Sequence, residues 1–481
     1  MKTTEILRCL IEKERRKKYD ECGITMRNRG GNIMKKVIFR VCDSLKKASD
    51  FLRRFTKKTA DGFYLILKKY DWAIFLGVIT VLSLVMRYYL FDCIRGDYAY
   101  CLKPWYTRIY DGGAKELGVT FGDYTPAYYY ILYFISLFRF DPESYQVLHA
   151  IKWVSVFFDY LLAVYCSLIC YRVTSDKTKT MLCYFLCVFG ITIFLNSALW
   201  GQCDSIYACF SVMALYYLLK KRPNLAMIFY GCAFAFKLQS IFILPILLVL
   251  FLRRKFNLKY LLWVPVIYIL FALPASFLAD NFFQRFGEIL SVYFNQAANS
   301  YTQVTLNAGT FYAMIFTNFK DESFVSSFAV FLGIAIVGTY CFFIYRSKIE
   351  FTPKIWVKIA CLLVLVTPYF LPHMHERYFY IADVLVILYA LTNPKKFYVA
   401  ILAITNSMIG YMVYLWNIPF INVVPQEESD PTKALSLRFG AILYLVAIVV
   451  VSMDLFKEIY PKGLNQQPES ERREGQNGEG I

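Results

Sequence analysis

Two stretches of the chain place carboxylates beside aromatic residues just after its first long apolar block. Residues 94–106 read IRGDYAYCLKPWY and residues 121–128 read FGDYTPAY, so Gly-Asp-Tyr occurs at 96–98 and again at 122–124. Asp97 and Asp123 are candidate bases, since a carboxylate is ionised at neutral pH and can take a proton from a hydroxyl. Four further clusters carry polar chemistry in oily surroundings. They are Trp200-Gly201-Gln202-Cys203-Asp204, Lys237 with Gln239, the hexapeptide His373-Met374-His375-Glu376-Arg377-Tyr378, and YTQVTLN at 301–307, which ends in Asn307. Lysine and arginine bind phosphate, carboxylates accept protons and hold hydroxyls, and aromatic faces stack on sugar rings. Together these groups suit a phosphorylated, hydroxyl-rich substrate.

Each residue also has a plainer reading. A loop aspartate is often simply solvated, and Asp204 is a favoured type for capping the helix that follows it. Lys237 can snorkel or pair with a buried carboxylate, and His-x-His-Glu can be a wet turn. The functional reading rests on convergence, because ionisable residues in or beside apolar segments are costly without a use or a partner.

The elements that must position these groups are apolar helices. Of the 481 residues 58% are hydrophobic and 19% aromatic. The apolar residues run in blocks of roughly 20, the length that crosses a hydrocarbon core of about 30 Å. Backbone polar groups in lipid must be satisfied within the segment, so these blocks are helices. The fold expected is an all-α polytopic membrane protein. Apolar segments lie at 72–91, 147–171, 180–198, 203–219, 224–252, 258–279, 322–345, 355–371, 378–393, 396–416 and 434–457. Residues 126–138 form a shorter aromatic segment, and 224–252, interrupted by Lys237-Leu238-Gln239, reads as a broken helix or tight hairpin. The organisation expected is a basic N-terminal region over 1–70, a membrane module over 71–458 with loops at 92–125 and 280–321, and a disordered tail over 459–481.

The formal charge is +18, and residues 1–70 hold 20 Lys/Arg against 8 Asp/Glu, which is +12 of it. Within that stretch Val37, Val41, Leu45, Leu52 and Phe55 fall near helical spacing among cations, which favours an interfacial helix on anionic lipid over a nucleic-acid arm. Residues 1–33 read as poorly ordered, and the charged start predicts no cleavable signal peptide. Basic loops at Lys177/Lys179, Lys220-Lys221-Arg222, Arg253-Arg254-Lys255, Arg346/Lys348 and Lys395-Lys396 should face the cytoplasm. The polar clusters then share the external face, provided that 126–138 is re-entrant and 224–252 crosses twice. The fourteen cysteines show no metal-ligand spacing; Cys166/Cys170 and Cys183/Cys187 read as small buried hydrophobes, and Cys93 and Cys101 share a loop where they could pair.

RGDYAYCLKPWY followed by FGDYTPAYYY resembles the first external loop of GT-C glycosyltransferases, in particular lipid-phosphate-sugar-dependent glucosyltransferases. NSALWGQCDSIY, AFKLQSIFILP and PHMHERYFY are similar to bacterial proteins related to GPI-anchor mannosyltransferases. The second loop motif departs from the pattern, reading Asp-Tyr-Thr-Pro rather than Asp-Tyr-Pro-Pro, and no large soluble domain follows the last span, which argues against a protein-sequon acceptor. The resemblance implies a GT-C-type bundle, with about 11–13 transmembrane helices and short external-loop helices. It implies a polyprenyl-phosphate-linked sugar donor presented on the outer leaflet, with Asp97 acting at the acceptor.

With that donor, the function expected is transfer of mannose or another hexose to a glycan or glycolipid acceptor, in a plasma membrane, bacterial by its short soluble regions. Lys237 and Arg377 are then candidates to stabilise the leaving phosphate, with Gln239, His375 and Tyr378 beside them. Asp123 would orient the sugar or a cation, and Trp200, Gln202, Asp204 and Asn307 would contact substrate. Asp123, His373, His375 and Glu376 are candidate ligands for a divalent metal ion. The loop at 280–321 would close over the donor. The partners expected are the donor, the acceptor and membrane lipids, with no nucleic acid. The competing readings are a lipid-linked saccharide flippase, which should show internal repeats, and a polymerase or ligase using a lipid-diphosphate glycan.

Overall fold

The computed structural model describes residues 31–299, 303–316, 323–418 and 429–461. Contacts divide the chain after Phe75. The described residues of the first unit belong to one long helix, Gly31–Tyr88, which kinks at Tyr70 (φ −118°, ψ 21°). Asp71 accepts from the backbone N–H of Trp72 just beyond the kink (2.7 Å). The helix expected over the basic stretch is therefore present, while the side chains of Val37, Val41, Leu45, Leu52 and Phe55 lie outside the described residues. Of residues 1–33, read as poorly ordered, 31–33 instead open this helix and 1–30 fall outside the described residues; of the tail over 459–481, Ile459 ends a helix and everything after Pro461 falls outside them.

The second unit is helical, with one two-residue parallel bridge between Thr305–Leu306 and Met374–His375. Seven helices among the described residues are long and apolar enough to cross a membrane: 68–88, 145–174, 258–277, 324–346, 353–370, 394–415 and 433–459. The pair Lys177–Val188 and Ile191–Trp200, bent by 44°, makes an eighth span if counted as one. The chain is thus a multi-pass, all-α membrane protein, and among the described residues its full-length spans are fewer than the about 11–13 transmembrane helices that the resemblance implies.

The difference has a physical cause. Asp204–Leu219 and Tyr380–Thr392 have 16 and 13 residues, which makes them about 24 and 20 Å long, short of the hydrocarbon core. Both are buried along nearly all their length. Their apolarity serves the protein interior, and hydropathy alone does not separate that from lipid exposure. Residues 224–252 break where the interruption was expected. Pro223–Phe236 ends at Lys237, whose backbone is extended (φ −155°, ψ 137°), and a 3-10 turn over Leu238–Ile243 leads into Leu244–Leu252. Pro126–Ser136 is a helix of 11 residues, about 16 Å long and too short to cross.

Two π-helical segments, Tyr98–Leu102 and Leu195–Trp200, deliver polar residues to one place. Such insertions bend a helix and re-aim its side chains. Gly201 follows the second with φ 80° and turns the chain so that the Gln202 N–H reaches back to the Asn196 carbonyl (3.0 Å). Left-handed backbone of this kind is where glycine costs least. Deeper in the bundle Arg87 and Asp159, both fully buried, form an ion pair (3.1 Å). Ser197 and Tyr380 also donate to Asp159, so the buried carboxylate has three partners. Cys93 and Cys101 are free thiols.

Candidate functional site

A cavity of about 430 Å³ opens among the loop after the first span, the break at Lys237 and the 371–378 turn. Asp97 lies in its wall, at the start of the π-helical turn, with 23% of its side chain exposed. Its Oδ2 accepts from Trp200 Nε1 (2.9 Å) and from Gln202 Nε2, and lies 3.5 Å from Arg377 Nη1. Among the described residues its Oδ1 accepts only from the Tyr414 hydroxyl (3.0 Å). A carboxylate oxygen has room for about two hydrogen bonds. Oδ1 is therefore the atom with capacity left for a proton from the cavity.

Lys237 faces the same cavity from the helix break. Its ammonium lies 2.5 Å from Asp204 Oδ1 and 5.6 Å from the centre of the Tyr124 ring. Asp204 does not cap its helix. It is the first residue inside, makes no capping bond, and gives its other oxygen to Asn196 Nδ2 (3.0 Å). Both members of the pair are buried, and the pairing holds the lysine at one position with two N–H donors unused among the described residues.

The 371–378 turn is stapled in place. The bridge to Thr305–Leu306 runs beside it, His373 N–H donates to the Val304 carbonyl (3.0 Å), and His373 Nδ1 donates to the Gln303 carbonyl (2.8 Å). The loop at 280–321 thus reaches the site through residues 303–306. His375 is held well below the usual histidine range, first by burial and then by the Arg377 and Lys237 charges, so its ring is neutral. Burial lifts the Glu376 carboxyl to about 7, against the opposing pull of Arg377. Arg377 lies 3.4 Å from Glu376 Oε1 and stacks 5.4 Å from the Trp200 ring centre, bridging the two carboxylates.

Of the residues expected at a site, Asp97, Asp123, Gln202, Lys237, Gln239, His373, His375, Arg377 and Tyr378 all line this cavity. Four others do not face it. Trp200 is fully buried against Tyr411 and Tyr414, and Asp204 and Glu376 lie behind the wall on the charges they hold. Asn307 is buried in left-handed backbone (φ 56°), with its carbonyl packed closely on Gly410. Trp200, Asp204 and Asn307, expected to contact substrate, thus stand behind the cavity wall rather than in it. The expected metal ligands Asp123, His373, His375 and Glu376 do not converge: among the described residues no three His, Cys, Asp or Glu side chains are placed to share an ion.

Tyr414 was not foreseen, because nothing marks it inside an apolar span. Its spacing from Tyr411, three residues on one helical face, was the available signal. Gln296 also lines the cavity and donates to the Asp123 carbonyl, which ties the helix Phe282–Asn299 to the second Gly-Asp-Tyr. Asn196 was overlooked within an apolar run. No protein-family model matches the chain, and no curated protein matches its sequence.

Proposed function

We propose that this protein is a membrane glycosyltransferase that moves a monosaccharide, mannose or another hexose, from polyprenyl phosphate to a hydroxyl of a glycan or glycolipid acceptor at the external face of a bacterial plasma membrane. The observation that carries the reading is one cavity holding a pre-organised carboxylate, Asp97, together with two cations, Lys237 and Arg377. The acceptor oxygen attacks the anomeric carbon as Asp97 Oδ1 takes its proton. The bond from that carbon to the phosphate oxygen breaks, and its electron pair leaves with the polyprenyl phosphate. One displacement of this kind inverts the anomeric configuration. Negative charge growing on the phosphate is met by the Lys237 ammonium and the Arg377 guanidinium, both fixed before the reaction. Tyr124, Trp105 and Tyr378 offer ring faces for the sugar. The apolar side of the cavity, with Ile241, Phe242, Val330 and Leu371, suits the first isoprene units.

The test is purified protein in lipid with a panel of synthetic polyprenyl-phosphate sugars, following polyprenyl phosphate release. Release that needs both a particular sugar and an added acceptor, and collapses in Asp97→Asn, is the expected result. Movement of intact donor across the bilayer with no release would replace the transferase reading with a flippase.

A further inference from the structure

A second cavity, of about 990 Å³, lies at the other end of the same helices. Asp204–Leu219 runs from behind the Asp97 site to Leu219 at this cavity, about 24 Å away, and Pro353–Phe370 spans about 27 Å in the opposite sense. The separation, about 24–27 Å, is somewhat less than the about 30 Å of a hydrocarbon core and sets the two cavities toward its opposite faces.

Five cations line this second cavity, Arg172, Lys221, Arg253, Arg254 and Lys255, against one acid, Glu350. Some are engaged. Arg253 donates to the carbonyls of Ser347 and Ile349 (2.6 Å each), and Lys255 pairs with Glu350 (3.1 Å). Among the described residues Arg172 uses only Nε, on the Leu219 carbonyl (3.1 Å). The side chains of Lys221 and Arg254 have no hydrogen-bond or ion-pair partner among the described residues, although the Lys221 charge, after that of Lys255, helps to hold the Glu350 carboxyl below its ordinary range. Each closes a helix in left-handed backbone, at φ 57° and 55°. A cation at a helix C-terminus has an ordinary use against the helix dipole. That use does not require the caps of two separate helices to converge on one cavity.

The wall behind the cations is apolar, with Leu215, Leu250 and Trp356. From its edge Leu244, Leu248 and Phe251 follow one face of a helix, 46%, 44% and 38% exposed. The site therefore offers positive charge at the depth of a headgroup and an apolar strip running toward mid-membrane. We infer that this cavity binds the phosphate head of an anionic lipid, with Lys221 and Arg254 on the phosphate and the chain laid along Leu244, Leu248 and Phe251. The inference is independent of sugar transfer and survives or fails separately from it.

The experiment uses the full chain in phosphatidylcholine nanodiscs, doped with phosphatidic acid brominated on its acyl chain. Bromine quenches indole fluorescence on contact, and the difference from Trp356→Phe isolates the tryptophan in the cavity wall. Saturable quenching of the Trp356 component by brominated phosphatidic acid is expected, and none by brominated phosphatidylcholine at equal mole fraction. Loss of two charge-assisted contacts in Lys221→Gln/Arg254→Gln should raise the half-saturating fraction roughly tenfold. The charge-preserving Lys221→Arg/Arg254→Lys should leave it near wild type, which separates charge from misfolding. Lys177→Gln/Lys179→Gln, at basic residues outside the cavity, should have no effect; a shift equal to that of the cavity pair would reduce the effect to general surface attraction and overturn the site. Quenching by both lipids alike would also overturn it. Displacement by inorganic phosphate or glycerol phosphate would assign the cavity to a soluble phosphate and overturn the lipid.

Discussion

Asp97 and Asp123 stand in the same tripeptide, yet the structure treats them oppositely. Asp97 is gripped by Trp200, Gln202, Tyr414 and Arg377, while its neighbour Tyr98 is buried in the core. Asp123 lines the cavity at its exposed rim, and its carboxylate has no hydrogen-bond partner among the described residues; Tyr124 lies deeper, under the Lys237 ammonium. The backbones differ as well. Gly122 has φ 65° and an added Cβ would sit 2.4 Å from the Trp105 ring, whereas a Cβ on Gly96 would meet Tyr100 at an ordinary 3.7 Å. The first unit contributes a fixed carboxylate and the second contributes a ring. For the proposed transfer only the first is held as a base would need to be, because a base must be in place before the proton moves.

The largest expected effect breaks this comparison directly. Asp97→Asn should lower polyprenyl phosphate release by about 10²–10⁴-fold, the usual contribution of a positioned general base. Asp123→Asn should lower it by less than roughly tenfold, under about 1.4 kcal/mol on the barrier. Equal losses in the two variants would mean that the clamp on Asp97 has no catalytic meaning.

Asp204 is a third carboxylate, with no route to substrate, and it sharpens the contrast between holding and reacting. Asp204→Asn or Lys237→Met leaves one buried charge without its counterion and should cost about 3–5 kcal/mol of stability. Asp204→Leu/Lys237→Met removes both charges and should recover most of that stability while transfer stays lost. Thermal unfolding in detergent reads the first outcome and polyprenyl phosphate release the second. Recovery of transfer in the double variant would show that the ammonium serves only the fold.

Much of the site was legible in the sequence because ionisable residues in an oily chain need a reason to be there. Asp97, Lys237 and Arg377 stood out on that ground and share one cavity. What the chain did not disclose is which residues face that cavity and which stand behind it. Trp200 and Gln202 are two positions apart, yet a π-helical end and a left-handed glycine turn the first into the core and the second into the wall. Tyr414 has the composition of its span and no mark of its role. Apolar blocks did not say which helices are full-length spans, because a helix packed among other helices is as apolar as one in lipid, as Asp204–Leu219 shows. The basic caps at Lys221 and Arg254 read only as orientation signals, since nothing in the chain reveals that two separate loops border one cavity.

Glu376 gives the comparison a pH axis. Its carboxyl binds a proton more tightly in the folded chain, with a pKa of about 7 against an ordinary 4.5. The folded state therefore holds more protons than the unfolded one between those values, and the group's contribution falls as pH rises through them. It levels off above about 7, after a total loss of roughly 3 kcal/mol. Glu376→Gln keeps the oxygen facing Arg377 and cannot titrate. The stability difference between variant and wild type should grow in the variant's favour from about pH 4.5 to 7. A difference that stays flat across that window would show that another group balances the buried carboxyl.

The smallest effect separates the two glycines. Gly122→Ala must take a left-handed conformation, at about 1–2 kcal/mol, and must also push aside the Trp105 ring. Trp105 contacts both Tyr124 and Tyr129, at 5.3 and 5.6 Å between ring centres, so the displacement passes to the ring nearest Lys237. The expected outcome is a lower unfolding temperature and a raised KM for the donor, with kcat nearly unchanged because Asp97 is not touched. Gly96→Ala, beside the base itself, should change stability by less than about 0.5 kcal/mol. The substitution nearer the reacting carboxylate should thus be the milder one. A fall in kcat with unchanged KM in Gly122→Ala would place Tyr124 in the transition state rather than at the sugar's resting position.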